Sequence, residues 1–103
     1  MITQRRVFQA EPGAAAAVVD KMKEFQRIFE KHGGPGCRIY TDMLSGPTDR
    51  VVWEFDMESL GKLEGLFWAS SQNAEYSTAY ENWYEGLKPL VQGATVELWN
   101  REV

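Results

Sequence analysis

The sequence predicts an α+β fold in which one antiparallel sheet of four strands carries helices on one face. Apolar residues recur at the spacing of strands in four segments, and at the spacing of amphipathic helices in the segments between them. These segments follow the order β-α-β-β-α-β. A chain of 103 residues has room for one hydrophobic core, so we expect a single domain over residues 1–103.

The first strand is predicted from Thr3 to Ala10, where Val and Phe lie among Arg and Gln. The first helix is predicted from about Pro12 to about His32, because proline suits the first turn of a helix. Its apolar residues follow one another at steps of four, three and four, which places them on one face: Val18, Met22, Phe25 and Phe29. The sequence Gly-Gly-Pro-Gly at 33–36 ends this helix.

A hairpin follows the first helix. Its strands are predicted at Cys37 to Leu44 and at Val51 to Phe55, which are rich in branched and aromatic residues. The intervening residues 45–50 read Ser-Gly-Pro-Thr-Asp-Arg, a composition typical of turns.

The second helical segment is predicted to be broken. Asp56 or Ser59 can cap its first part, whose apolar side holds Leu60, Leu63 and Phe67. The polar cluster at 70–73 interrupts it, and a second amphipathic part then ends near Pro89. A fourth strand from Ala94 to Arg101 closes the fold.

This order of elements is the ferredoxin-like βαββαβ arrangement. Right-handed crossovers give the antiparallel sheet order 4-1-3-2 with both helical segments on one face. The residues expected in the core between sheet and helices are Phe8, Phe25, Phe29, Ile39, Trp53, Phe55, Leu63, Trp83, Leu87, Val96 and Leu98.

The opposite face of the sheet is predicted to be mixed in character. The alternation places Val7, Tyr40, Val52 and Trp99 there, among Arg5, Gln9, Arg38, Glu54 and Glu97. A face that is partly apolar and carries charges of both signs suits contact with a second copy of the chain across a two-fold axis. We therefore expect a homodimer.

The sequence resembles the NIPSNAP-type branch of the dimeric α+β barrel superfamily. The resemblance rests on the first strand, on the Pro-Gly entry to the first helix, and on residues 51–60 (VVWEFDMESL) and 75–83 (EYSTAYENW). It implies a dimeric α+β barrel, a fold shared by haem-degrading and quinone-forming monooxygenases, small isomerases and members without an assigned reaction. Trp68 could match a tryptophan of the haem-degrading branch, but no histidine follows it and the first strand offers only Gln4 and Gln9 as amides. Haem breakdown is therefore disfavoured.

The composition of the chain limits the kinds of partner and cofactor that we expect. The chain has 11 Lys and Arg against 15 Asp and Glu, a net charge of −4, so we expect no nucleic-acid binding. The longest uncharged apolar stretch, residues 14–19, is too short to cross a membrane, and the absence of a secretory leader pattern predicts a cytoplasmic protein. With one cysteine, one histidine and no nucleotide or zinc motif, no metal and no cofactor are expected.

Charged residues on three strands form the first candidate site. Arg5, Glu54 and Glu97 are predicted to lie side by side on the mixed face. They either form ion pairs that fix the pairing of strands or subunits, or they orient a ligand, with a carboxylate of raised pKa acting as a base. For His32 at a helix end and for Cys37 beside a glycine-rich turn, structural roles are favoured over catalytic ones.

Aromatic residues around the helix break form the second candidate site. Trp68, Tyr76, Tyr80 and Trp83 either line a cleft for a flat apolar ligand or belong to the core. The candidate ligand-binding residues of both sites are Arg5, Tyr40, Glu54, Trp68, Tyr76, Trp83 and Glu97. No catalytic residue is assigned.

Two functions fit these features. The first is a small-molecule binding protein or a cofactor-independent enzyme, similar to a monooxygenase or an isomerase, that acts on an apolar or aromatic compound. The alternative is a non-enzymatic homodimeric binding or interaction module, in which the charged residues only maintain the dimer. The sequence leaves open whether the protein is an enzyme.

Overall fold

The computed structural model describes all residues, 1–103. Four strands and three helices follow one another along the chain, with a short 3-10 turn at Lys88–Leu90 before the last strand. They are β1 (Ile2–Ala10), α1 (Ala15–Lys31), β2 (Arg38–Thr41), β3 (Arg50–Met57), α2 (Leu60–Ser71), α3 (Ala74–Leu87) and β4 (Val91–Asn100).

The four strands form one antiparallel sheet in the order β2-β3-β1-β4. This is the predicted order 4-1-3-2 read from the other edge, so the α+β, ferredoxin-like topology is confirmed. The helices pack on one face of the sheet, which we call the helix face, and the opposite face is the outer face.

The hairpin between β2 and β3 has a shorter first strand than its sequence indicates. The Asp42 N–H donates to the Arg50 carbonyl at 3.2 Å, but the Arg50 N–H donates to the Asp42 carboxylate at 3.2 Å instead of to its backbone, which starts the loop there. Met43 and Leu44 are then almost fully exposed, at 92% and 97%. The predicted strand to Leu44 therefore ends at Thr41, because side-chain capping replaces the strand ladder.

The break in the second helical segment is confirmed, and each part has its own N-cap. The Ser59 hydroxyl accepts a hydrogen bond from the Lys62 N–H at 3.2 Å, and the Asn73 side chain accepts one from the Tyr76 N–H at 3.0 Å. Each cap satisfies a backbone donor that a helix start leaves unpaired. Two separate helices, α2 and α3, result.

The hydrophobic core lies between the helix face and α1, with contributions from α2 and α3. Its largest fully buried side chains are Trp53, Phe29, Phe55, Met22, Val18 and Val51. Eight predicted core residues are buried, and Ile39 is half-buried against them.

Two predicted core residues are not buried. Val96 and Leu98 project on the helix face, as their register opposite Arg6 and Gln4 shows, yet each is 54% exposed. The helices lie over β3 and β2, and β4 is an edge strand beyond their cover. The predicted face was right and the predicted burial was wrong.

None of the helices is both long enough and apolar enough to cross a lipid bilayer.

Candidate functional site

A cavity of about 240 Å³ lies between the helix face of the sheet and the three helices, and we call it the aromatic cavity. The sheet supplies its floor through alternate residues of β1 and one residue of β3: Gln4, Arg6, Phe8 and Trp53. Because side chains two apart in a strand point to the same face, the three β1 residues lie in a row along the floor.

The helices supply the walls of the aromatic cavity. Met22, Phe25 and Phe29 come from α1, and α2 contributes Phe67 near the helix break. The α3 residues are Tyr76, Tyr80 and Trp83, which recur at helical spacing and so share one side of that helix. Phe67 is 39% exposed and the two tyrosines are half-buried, which places them at the solvent side.

Ring contacts hold these walls in place. The Phe25 ring centre lies 4.7 Å from that of Trp83 and 5.4 Å from that of Trp53. The indole N–H of Trp83 donates to the Lys21 carbonyl at 2.6 Å, and that of Trp53 donates to the Gln26 side chain at 3.2 Å. Both tryptophans are thus oriented by packing and by a hydrogen bond, which fixes the shape of the cavity wall.

Two polar side chains stand out in this apolar lining. Gln4 is only 4% exposed, and its Nε2 has no hydrogen-bond partner. Arg6 is half-buried and has no carboxylate within 4.0 Å. Neither residue is among the binding residues predicted from the sequence, although their spacing from Phe8 places both on the helix face.

The aromatic cavity is better suited to binding than to proton transfer. Its lining contains no carboxylate, histidine or thiol. Burial is the main cause that raises the pKa of Tyr76, so this hydroxyl keeps its proton at neutral pH. The lining therefore offers aromatic surface, hydrogen-bond donors and one cation, but no general base.

The outer face carries a row of alternating charges that crosses the sheet. Arg38, Glu54, Arg5 and Glu97 are direct cross-strand neighbours on β2, β3, β1 and β4. Glu54, with its side chain 5% exposed, accepts from the Arg5 Nε at 2.8 Å and from the Arg38 Nε at 2.9 Å. Glu97 instead accepts from the Trp99 indole at 2.9 Å.

Asp56 extends this row towards the end of the sheet. Two Arg38 nitrogens donate to its carboxylate at 2.8 and 3.0 Å, the Arg101 guanidinium donates at 2.8 Å, and the Thr3 hydroxyl donates at 2.6 Å. We call Arg5, Arg38, Glu54, Asp56 and Arg101 the charged network.

Both carboxylates of the charged network are held in their ionised form. Burial alone would raise the pKa of Glu54, but hydrogen bonds from Arg38 and Arg5 outweigh it and bring the pKa below its usual value. Hydrogen bonds from Arg38 and Thr3 hold the pKa of Asp56 well below its ordinary range. These contacts therefore do not give a carboxylate of raised pKa that could act as a base. They are ion pairs between neighbouring strands.

The structure divides the predicted site residues between the two faces of the sheet. Arg5, Tyr40, Glu54 and Glu97 lie on the outer face, whereas Tyr76 and Trp83 line the aromatic cavity. Trp68 lies outside the cavity and is 70% exposed, which corrects its expected place in the lining. Phe67 lies there instead, because one residue along a helix turns the side chain by about 100°.

His32 and Cys37 lie outside the aromatic cavity. His32 is the C-cap of α1, and its ring packs edge-on against Tyr76 at 5.4 Å. Burial is the main cause that raises the pKa of the Cys37 thiol, which opposes formation of a nucleophilic thiolate. No three His, Cys, Asp or Glu side chains are grouped so that they could hold a metal ion.

The fold occurs in other proteins of known structure. An uncharacterised NIPSNAP domain protein from Burkholderia xenovorans superimposes with a TM-score of 0.77 at 11% identity, over 98% of this chain and 94% of that one. A NIPSNAP family protein of unknown function from Agrobacterium tumefaciens gives 0.76 at 16% identity, over 98% and 87%. A presumed antibiotic biosynthesis monooxygenase from Deinococcus radiodurans gives 0.64 at 13% identity, over 100% and 94%.

No protein-family model and no curated protein sequence matches the chain. The likeness to the solved structures extends over nearly the whole chain but is low in sequence identity, so it concerns the fold alone. The chain has the NIPSNAP-like, ferredoxin-like α+β fold.

Proposed function

We propose that the protein binds a small apolar or aromatic compound in the aromatic cavity. The observation that carries this proposal is a cavity of about 240 Å³ whose 11 lining residues include 9 hydrophobic ones. Small-molecule sites are typically concave and apolar, with a few polar groups that fix orientation. An engineered apolar cavity of about 150 Å³ holds benzene, so a compound with one aromatic ring is of suitable size.

Binding can be located through the four tryptophan indole N–H signals in a proton-nitrogen NMR spectrum. Trp53 and Trp83 line the aromatic cavity, whereas Trp68 and Trp99 are exposed elsewhere and serve as internal controls. Titration with indole or 3-phenylpropan-1-ol should shift the signals of Trp53 and Trp83 alone. Absence of any shift, or shifts confined to Trp68 and Trp99, would contradict the proposal.

Chemistry on a bound compound has weaker support than binding. The presumed monooxygenase among the structural neighbours motivates a test for oxygen consumption with compounds that bind. Since the lining contains no general base, a cofactor-independent reaction would depend on a substrate that loses its own proton readily. The proposed function is therefore binding, and a reaction of the bound compound would be an additional activity.

We also propose that the outer face joins two copies of the chain as a homodimer. Tyr40 and Trp99 are 48% and 56% exposed on this face, beside the half-buried Val7 and Val52. The neighbouring Glu54 is already neutralised by its arginines, so burying that carboxylate leaves no unpaired charge. A typical interface would cover about 800 Å² on each partner.

Sedimentation equilibrium tests the dimer. The unmodified chain should give twice 11.8 kDa. Trp99→Ala removes outer-face contact and should weaken association, whereas Trp68→Ala removes a 70% exposed tryptophan on α2 and should not. A mass of 11.8 kDa for the unmodified chain at micromolar concentration, or equal effects of both substitutions, would refute the outer-face dimer.

A further inference from the structure

We propose that the compound bound in the aromatic cavity carries a carboxylate, which the Arg6 guanidinium binds and the Gln4 amide helps to orient. The inference rests on the proposed function, since it assigns the chemical class of the ligand for the same cavity. Arg6 and Gln4 carry the argument because both are polar groups on an apolar face and neither has a partner.

Arg6 lies in surroundings that do not explain its charge. Its cross-strand neighbours are Trp53 on β3 and Val96 on β4. The adjacent Arg5 points to the outer face and is paired with Glu54, whereas Arg6 has no carboxylate within 4.0 Å. A half-buried guanidinium without a carboxylate partner is available to bind an anionic group that enters the cavity.

Gln4 gives an independent indication. It lies two residues before Arg6 on the same face, is 4% exposed, and leaves Nε2 without a partner. Buried side-chain amides are nearly always hydrogen-bonded, so this donor calls for an acceptor. Half a turn about the terminal torsion exchanges its amide oxygen and nitrogen, which lets Gln4 present the donor to a group in the cavity.

Together these two side chains favour a ligand that joins a carboxylate to an apolar group. A guanidinium presents paired N–H donors that match the two oxygens of a carboxylate, and the aromatic walls accept a ring. The volume of about 240 Å³ suits one ring with a short acidic side chain. Small arylalkanoic acids are therefore the ligand class that the lining fits.

The position of Arg6 relative to Tyr76 agrees with this assignment. Burial and the neighbouring Tyr80 raise the pKa of Tyr76, while the positive charge of Arg6 acts in the opposite direction. The field of Arg6 thus reaches the solvent side of the aromatic cavity, where the protonated Tyr76 hydroxyl is available as a further donor.

Two probes of matched shape test the inference, 3-phenylpropanoate and 3-phenylpropan-1-ol. We expect calorimetry at low salt and neutral pH to show the acid binding about tenfold or more tightly than the alcohol, since hydrogen bonds to charged groups are the stronger ones. Arg6→Met should abolish this preference, so that the variant binds the acid and the alcohol with similar affinity. Gln4→Leu should weaken the binding of the acid by a smaller factor.

Arg27→Met is the matched control, because Arg27 is an exposed arginine of α1 outside the cavity. It removes the same charge and should leave both affinities unchanged. If Arg6→Met does not fold, the unmodified protein still gives a test, because added salt should weaken binding of the acid much more than binding of the alcohol.

The outcomes separate the inference from the proposed function. Equal affinity of the unmodified protein for acid and alcohol, with shifts of the Trp53 and Trp83 signals, would refute the carboxylate and leave the binding site intact. A preference for the acid that survives Arg6→Met would also refute it. Absence of binding by both probes, with no indole shift, would instead contradict the proposed function itself.

Discussion

Trp53 is the residue on which the core depends most. It is 2% exposed, its ring centre lies 5.0 Å from that of Phe55 and 5.6 Å from that of Phe29, and its indole is hydrogen-bonded. Trp53→Ala should lower the free energy of unfolding by roughly 3–5 kcal/mol in chemical denaturation, because it removes buried aromatic surface and leaves a void.

Trp68→Ala provides the comparison for Trp53, since Trp68 is 70% exposed. We expect a change within about 0.5 kcal/mol, as is usual at exposed positions. Similar losses of unfolding free energy for the two substitutions would show that Trp53 does not lie on the sheet face that packs against the core.

Glu54 illustrates how one carboxylate joins three strands. It holds Arg5 of β1 and Arg38 of β2 from its position on β3. Glu54→Gln should cost about 1–3 kcal/mol in chemical denaturation, because both guanidiniums lose a charged acceptor. The loss stays moderate, since the two arginine side chains are 41% and 42% exposed and water can replace the carboxylate in part.

The same substitution also separates a structural role of Glu54 from a binding role. We expect Glu54→Gln to leave 3-phenylpropanol binding unchanged, because Glu54 lies on the outer face and does not line the aromatic cavity. Lost binding with unchanged stability would assign Glu54 to the ligand site.

At the scale of elements, two glycines beside helices should respond to alanine in opposite ways. Gly65 lies inside α2, where an added Cβ would meet no atom within 4 Å, so Gly65→Ala should stabilise the protein by about 0.5–1 kcal/mol. Gly34 follows α1, and an added Cβ would clash with the Phe29 ring, which is 1% exposed and cannot move aside. Gly34→Ala should cost roughly 1–3 kcal/mol.

Thermal unfolding of the two glycine variants measures both effects. The unmodified chain should melt between them, with Gly65→Ala above it and Gly34→Ala below it. A lower melting temperature for Gly65→Ala would mean that α2 is not helical at this position, and an unchanged one for Gly34→Ala would mean that Phe29 is not fixed.

The elements themselves were largely predictable because each has a strong local signal. Helical spacing in α1 and α3, the cap candidate Ser59, the polar cluster at 70–73 and strand alternation all act over a few residues. The exposure of Val96 and Leu98 was not predictable in this way, since alternation assigns a face but does not tell whether a distant helix covers it. Trp68 was misplaced because the orientation of α2 depends on tertiary packing.

The candidate site was predictable only in part for a related reason. Tyr76 and Trp83 were found through aromatic spacing on α3, and the charged row through strand alternation. Gln4 and Arg6 were missed because their significance depends on which groups lie nearby in space. Only the structure shows that Arg6 has no carboxylate neighbour and that Gln4 is buried without a partner.

At the scale of the whole molecule, the charged network links all strands of the sheet. Arg5 belongs to β1, Arg38 to β2 and Glu54 and Asp56 to β3, and Arg101 follows β4 directly. The edge strand β4 has little helix cover, and the edge strand β2 is short. Side-chain hydrogen bonds across the outer face therefore add to the backbone hydrogen bonds that hold both edge strands.

This network should make the stability of the fold depend on pH. The ordinary pKa values are 4.5 for Glu54 and 3.8 for Asp56, and both are lower in the folded chain. A carboxyl whose pKa is lowered by folding binds protons less readily when folded than when unfolded. Its contribution is therefore fully present above the unfolded value and is lost as pH falls through the folded value.

Urea denaturation over a range of pH tests this dependence. The free energy of unfolding should be nearly constant above about pH 5 and should fall steadily below about pH 4.5. Asp56→Asn should flatten the acid limb, because Arg38, Thr3 and Arg101 then bond to a group that does not titrate. Glu75→Gln serves as the control, since Glu75 pairs with Lys31 in full contact with water, where ion pairs contribute little. An equally steep acid limb in Asp56→Asn and in the unmodified chain would show that the charged network does not govern acid unfolding.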